Sequence, residues 1–158
     1  MDFDHRDPAD KQFRLTEGRA MLMSRARLLT EVEECDVVCA NCHRRRTRAA
    51  HIRRLVRHAM PRGSSRHLER KRARWREHAR LLDRLRDVPC ADCGQRFPAC
   101  AMDFDHRDPE SKRYGVTRMI GRAGVARILV EAAKCDIVCA NCHRSRTLVR
   151  RAGLSRRE

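Results

Sequence analysis

Two stretches of this chain are written twice, and that duplication constrains the fold more than any other feature. MDFDHRDP stands at 1–8 and again at 102–109, and CDVVCANCHRRRT at 35–47 returns as CDIVCANCHRSRT at 135–147 with 11 of 13 positions identical. The chain is therefore expected to fold as two copies of one small unit. In 158 residues neither unit can bury much apolar surface alone, so each needs a staple.

The cysteines offer one. Cys90-Ala-Asp-Cys93 precedes the second copy and Cys139-Ala-Asn-Cys142 closes it. Four thiolates arriving as two C-x-x-C knuckles are the ligand set of a closed, tetrahedral structural zinc site. The nine cysteines are an odd number, and the chain opens on Met-Asp-Phe-Asp-His rather than on a charged segment followed by an apolar one. A reducing, cytoplasmic setting is the expectation, in which clustered cysteines hold metal rather than form disulfides. No stretch approaches the roughly 20 apolar residues of a membrane span, so no membrane is expected. The first copy keeps Cys39 and Cys42 but has no C-x-x-C before Asp4. Either that copy has decayed to a scaffold, or Met1, which matches Met102, is an internal methionine of a longer unit; the in-frame DNA upstream distinguishes the two. Cys100 and Cys135 are left over and are expected as small buried core residues.

With 37 Lys+Arg against 21 Asp+Glu, the formal charge is +16 and the sequence pI about 10.8, which favours a polyanionic partner, nucleic acid first. Residues 48–88 hold 14 of these cations against 4 acids. Ile52, Leu55, Val56 and Met60 extend the first copy's last helix to about Met60, where Pro61-Arg62-Gly63-Ser64-Ser65 breaks it. A second helix is predicted over about 66 to 87, with Leu68, Trp75, Ala79, Leu82 and Leu85 as its apolar stripe. Arg70, Lys71, Arg72, Arg74, Arg76, Arg80 and Arg84 occupy much of the remainder. They outnumber Glu69, Glu77 and Asp83, so phosphate contact is expected rather than an ion-paired solvated face. His51, His58, His67 and His78 are read as surface or packing residues.

Within each copy the run Lys11, Phe13, Leu15, Thr16, repeated as Lys112, Tyr114, Val116, Thr117, alternates and predicts a short extended stretch ending at a helix N-cap. A helix with one buried face follows, marked by Leu28, Leu29 and Val32 and by Val125, Ile128, Leu129 and Ala132. Asp103 to Pro109 reads as a strand delivering Asp105 and His106 to a turn. Strand neighbours face opposite ways, so one of the two can hold a cation while the other faces a water or a substrate. The expected organisation is a partial copy over 1–47, a basic helical connector over 48–88, a complete module over 89–150 and a basic tail over 151–158.

The order C-x-x-C, Asp-His, then C-x-x-C-H followed by basic residues resembles the HNH endonucleases. The resemblance covers about residues 90–149, with a partial match over 1–47. It implies an α+β chain: a zinc-stapled ββα-metal module, a β-hairpin packed on one helix around a divalent ion, duplicated and joined by basic helices. By position it implies that His106 is the general base and that Asp105 and His143 hold a catalytic ion, with Asp4, His5 and His43 as the first-copy counterparts. A cation beside the leaving oxygen and an imidazole beside the attacking water suit phosphodiester hydrolysis. Mixed carboxylate and imidazole ligation is compatible with Mg2+, Mn2+, Ni2+ or Zn2+. The substrate implied is DNA, or RNA, and no small molecule. The family's middle asparagine has no counterpart before the second knuckle, where Lys134-Cys135-Asp136 stands; Asn141 is read as a turn residue between zinc ligands.

Two other readings compete. Covalent haem at C-x-x-C-H leaves Cys90, Cys93 and the Asp-His pair unexplained. A zinc-held DNA- or RNA-binding module without catalysis fits the charge and the cysteines equally well. The nuclease reading requires the His106 and His143 rings to converge on one phosphate.

Overall fold

The computed structural model describes residues 1–13, 15, 22–57 and 66–153, and for 49–57 and 67 the backbone alone. The first copy runs β1 (Asp2–His5), α1 (Arg25–Glu33), β2 (Cys35–Val38) and α2 (Ala40–Arg57). After α3 (Arg66–Leu85) the second repeats the order as β3 (Met102–His106), α4 (Val125–Ala132), β4 (Cys135–Cys139) and α5 (Ala140–Arg151). The fold is mixed α and β, with two small two-stranded antiparallel sheets among the described residues.

The duplicated sequence produces a duplicated register. Asp4 lies opposite Asp36 and His5 opposite Cys35, just as Asp105 lies opposite Asp136 and His106 opposite Cys135. A lone hairpin is marginal in water, and in the second copy both faces are held. The α5 helix meets one face through His143 and Asp103, and α4 meets the other through Glu131 and His106. Cys139 also caps α5, its Sγ accepting from the Cys142 N–H at 3.5 Å. One cysteine thus ends a strand and starts a helix.

The basic helix belongs to the second copy's packing. Leu82 is fully buried in a core with Val116, Met119, Ile128 and Cys135. Buried His78 accepts the Gly121 N–H on Nδ1 at 3.1 Å, the packing role expected of it. Gly121 has φ +72, and Trp75 lies against it, 3.4 Å from where a Cβ would stand. Trp75 is nevertheless 53% exposed, so the apolar stripe is deepest toward the helix C-terminus.

The alternating run is not a strand. Over its described residues it is, in both copies, a loop whose backbone N–H groups turn inward to one carboxylate, Gln12 and Phe13 to Glu31, Arg113 and Tyr114 to Glu131. A buried carboxylate must collect donors, and that demand outweighs the strand propensity of Phe13 or Tyr114. Val116–Met119 forms a 3-10 turn, and the helices that follow are capped at Ser24 and Gly124 rather than at a threonine. Thr16, the Met60 helix end and the 61–65 break lie outside the described residues.

The two copies face each other, α2 running against α5 and the turn Ala99–Ala101. Contacts across this face are reciprocal. Arg44 meets Asp103 at 2.6 Å, and its counterpart Arg144 meets Asp2 at 2.8 Å. Exchange of equivalent residues in both directions is the mark of an isologous interface, here within one chain. Among the described residues no helix is long and apolar enough to cross a membrane.

Candidate functional site

Cys90, Cys93, Cys139 and Cys142 bring their sulfurs within 4.8 Å of one another, positioned to hold a metal ion. The segment carrying the first pair is laid beside β4 by the Ala91 N–H donating to the Ile137 carbonyl at 2.9 Å. Arg146 fixes it further with a two-pronged grip on Asp92 at 2.7 and 2.8 Å. Burial raises the Cys90 thiol, but backbone N–H groups of Cys93, Cys139 and Asp92 outweigh it and bring it down to about 7. Cys142 is pushed up, by burial first and then by the neighbouring thiols of Cys139, Cys90 and Cys93. Crowded sulfurs that oppose one another's ionisation are what a divalent cation relieves, so the donor set fits a structural zinc.

A second cluster faces α5. Asp103 and Asp105 project from the same face of β3, and His143 sits between them, Nδ1 2.8 Å from Asp103 Oδ2 and Nε2 3.5 Å from Asp105 Oδ1. Burial pushes the Asp103 carboxyl up, but His143 and Arg44 outweigh it and hold it below the ordinary range. Asp105 is buried and takes Arg150 on both oxygens and Arg146 on one, at 2.8 to 2.9 Å. Those guanidiniums overcome the upward push of burial and hold the Asp105 carboxyl low as well. With both oxygens committed to cations, Asp105 as arranged does not fit a divalent ion shared with His143.

His106 lies elsewhere. The period of the strand turns it to the opposite face from Asp105, where it is 6% exposed with Nε2 2.9 Å from Glu131 Oε1. Glu131 also takes Lys134 and the two loop N–H groups. Burial works against its charge, yet these donors hold the carboxyl down to about 2. The expected convergence of the His106 and His143 rings is not the arrangement found: His143 opens to the surface and His106 braces a loop.

The first copy repeats the division. His5 sits 2.6 Å from Glu31, while His43 lies 3.1 Å from Asp2 and 3.6 Å from Asp4. His43 and His143, with ring atoms about a third exposed, line one cleft of about 1240 Å³ between the copies, with Lys11, Arg44, Arg48 and Arg144 around them. Among the described residues cations outnumber carboxylates on its walls, Asp2 being the one acid. Arg70, Lys71, Arg74, Arg76 and Arg80 are exposed on α3, and Arg72 is half-buried. Cys135 is buried, as expected for a leftover core cysteine, whereas Cys100 is half-buried at the wall of the cleft.

Several residues of the site were not singled out by motif: Asp2 and Asp103, Glu31 and Glu131, Arg44 and Arg144, Arg46 and Arg146. Each pair occupies the same place in both copies; that repetition, inside the quoted stretches for all but Glu31 and Glu131, was the available signal. Arg150 has Ala50 as its counterpart, so no repetition marks it. This chain matches no protein-family model, no curated protein and no solved structure.

Proposed function

We propose that the protein binds nucleic acid in the cleft between its two copies, with zinc on Cys90, Cys93, Cys139 and Cys142 as the staple that shapes the second copy. The observation that carries this reading is the cleft itself, where Arg44, Arg48, Arg144 and Lys11 surround two surface imidazoles. A concave, cationic wall attracts a phosphate backbone whatever its sequence, and the exposed arginines of α3 extend the attraction beyond the cleft. The formal charge of +16 points the same way.

Cleavage in the manner of the HNH endonucleases is the second reading, and one observation favours it. His143 stands between two carboxylates at the cleft, at the position where the resemblance puts the ion. It would require Asp105 to exchange its arginines for Mg2+, Mn2+ or Ni2+, and His106 to leave Glu131.

Fluorescence anisotropy with duplex DNA at several salt concentrations tests binding, and nicking of supercoiled plasmid with each of the three ions tests cleavage. Binding that weakens in Arg44→Ala, Arg48→Ala and Arg144→Ala, with no nicking, is the expected result. Metal-dependent nicking abolished by both His143→Ala and His106→Ala replaces binding alone with endonuclease activity. Binding indifferent to all three arginines overturns the cleft.

A further inference from the structure

In the second copy the segment bearing Cys90 and Cys93 is gripped by three features: the Ile137 carbonyl, the Arg146 guanidinium and the sulfurs of Cys139 and Cys142. The first copy presents the same three features with nothing laid on them among the described residues. Val37, the counterpart of Ile137, is 58% exposed. Cys42 is exposed and Cys39 half-buried. Arg46, the counterpart of Arg146, reaches among the described residues its own unit's Asp36 and Asp4, at 2.7 and 3.4 Å. These residues, with Val38 and Arg45, line an open recess of about 610 Å³. All nine cysteines lie among the described residues, and the four-sulfur cluster among them takes none from the first copy.

We infer that this recess is a docking site for a Cys-x-Asp-Cys segment of another polypeptide, joined to Cys39 and Cys42 through a shared zinc ion. The duplicate states the chemistry of the occupant. An aspartate between the cysteines meets Arg46, a backbone N–H meets the Val37 carbonyl, and two thiolates complete the tetrahedron. A second copy of this chain is a poor occupant, because its Cys90 and Cys93 are already engaged. Pairing two Cys39–Cys42 knuckles would also bring Arg45 and Arg46 of both chains together, like charges facing like.

A labelled synthetic peptide of residues 88–98, VPCADCGQRFP, serves as the probe against the full-length protein already loaded with zinc at its own four cysteines. With added Zn2+ the peptide is expected to bind one to one and to bring one further zinc per complex by metal analysis. Cys42→Ser, at an exposed position that leaves folding intact, is expected to weaken capture by on the order of a hundredfold or more, since even outer partners of a metal site cost 10–100-fold. Arg46→Ala on the protein, or Asp→Asn in the peptide, is expected to cost about tenfold. Undiminished capture by the Cys42→Ser protein means that the peptide has displaced residues 90–93 in the second copy, and overturns the inference. Zinc-dependent dimerisation in place of capture overturns it too, as does failure to take up the second zinc.

Discussion

Asn41 and Asn141, 100 residues apart, each receive the other's backbone amide: the Asn141 N–H donates to Asn41 Oδ1 at 3.2 Å and the Asn41 N–H to Asn141 Oδ1 at 3.4 Å. The pair closes the interface at the start of α2 and α5, where helix N–H groups lack partners within their own helix. Asn141, expected as a turn residue, instead lies in the first turn of α5, as Asn41 does in α2, and each caps the opposite C-x-x-C knuckle.

Replacing Asn41 with alanine strands the Asn141 N–H, and the reverse change strands the Asn41 N–H. Each is expected to cost about 1–3 kcal/mol in denaturant melts. The double variant is expected to fall short of the sum by about 0.5 kcal/mol or more, because the two bonds act on one interface. Strict additivity with small single effects would show the copies to be apart in solution.

Stripping the metal should unfold the second copy before anything else. Structural zinc contributes on the order of 10–16 kcal/mol in small domains, far more than a hairpin and two short helices can supply. Metal analysis is expected to find at least one zinc per chain, and a chelator titration followed by circular dichroism to show loss of structure with metal release. A melt unmoved by complete chelation would remove zinc from the account of this fold.

Salt should weaken DNA binding steeply. Each phosphate-contacting cation removed is expected to lower the slope of log affinity against log salt by about 0.9. Arg48→Ala is the cleanest probe, since Arg44 and Arg144 also tie the copies together through Asp103 and Asp2. An unchanged slope in that variant takes the residue out of the interface.

Acid should expose the Glu131 clamp. This carboxyl titrates near 4.5 when free and is held at about 2 in the folded chain. The unfolded chain therefore binds the proton first as pH falls, and the folded state loses stability from about 4.5 down towards 2, with the full contribution present above that window. Melting temperature against pH is expected to slope less in Glu131→Gln than in the parent over this range. Equal slopes would mean that other carboxylates govern acid unfolding.

The repeat was enough to anticipate two equivalent units, the apolar stripe the helix from Arg66, and the cysteine spacing the four-sulfur cluster, because each depends on local pattern or on ligand count; the hairpins were expected only from the HNH resemblance. The partners of the histidines were not legible in the same way. Strand alternation separated Asp105 from His106, but nothing local said that Glu131, 25 residues on, would claim the His106 ring. Nor did it say that Arg150 and Arg146 would converge on Asp105 from a helix more than 40 residues away. Long-range ion pairs are selected by packing, and a periodicity carries no record of them. The loop over 107–115 shows the same limit, since its conformation answers to one buried carboxylate rather than to its own side chains.

The crossed pairs Arg44–Asp103 and Arg144–Asp2 have a consequence for how the two units share their stability. Because both sit on one chain, their association is intramolecular and survives dilution that would separate free subunits. A unit clasped by a folded neighbour is stabilised by mass action as a bound ligand would stabilise it. The first copy, with two knuckle cysteines where the second has four positioned to hold an ion, thus borrows its order from its twin.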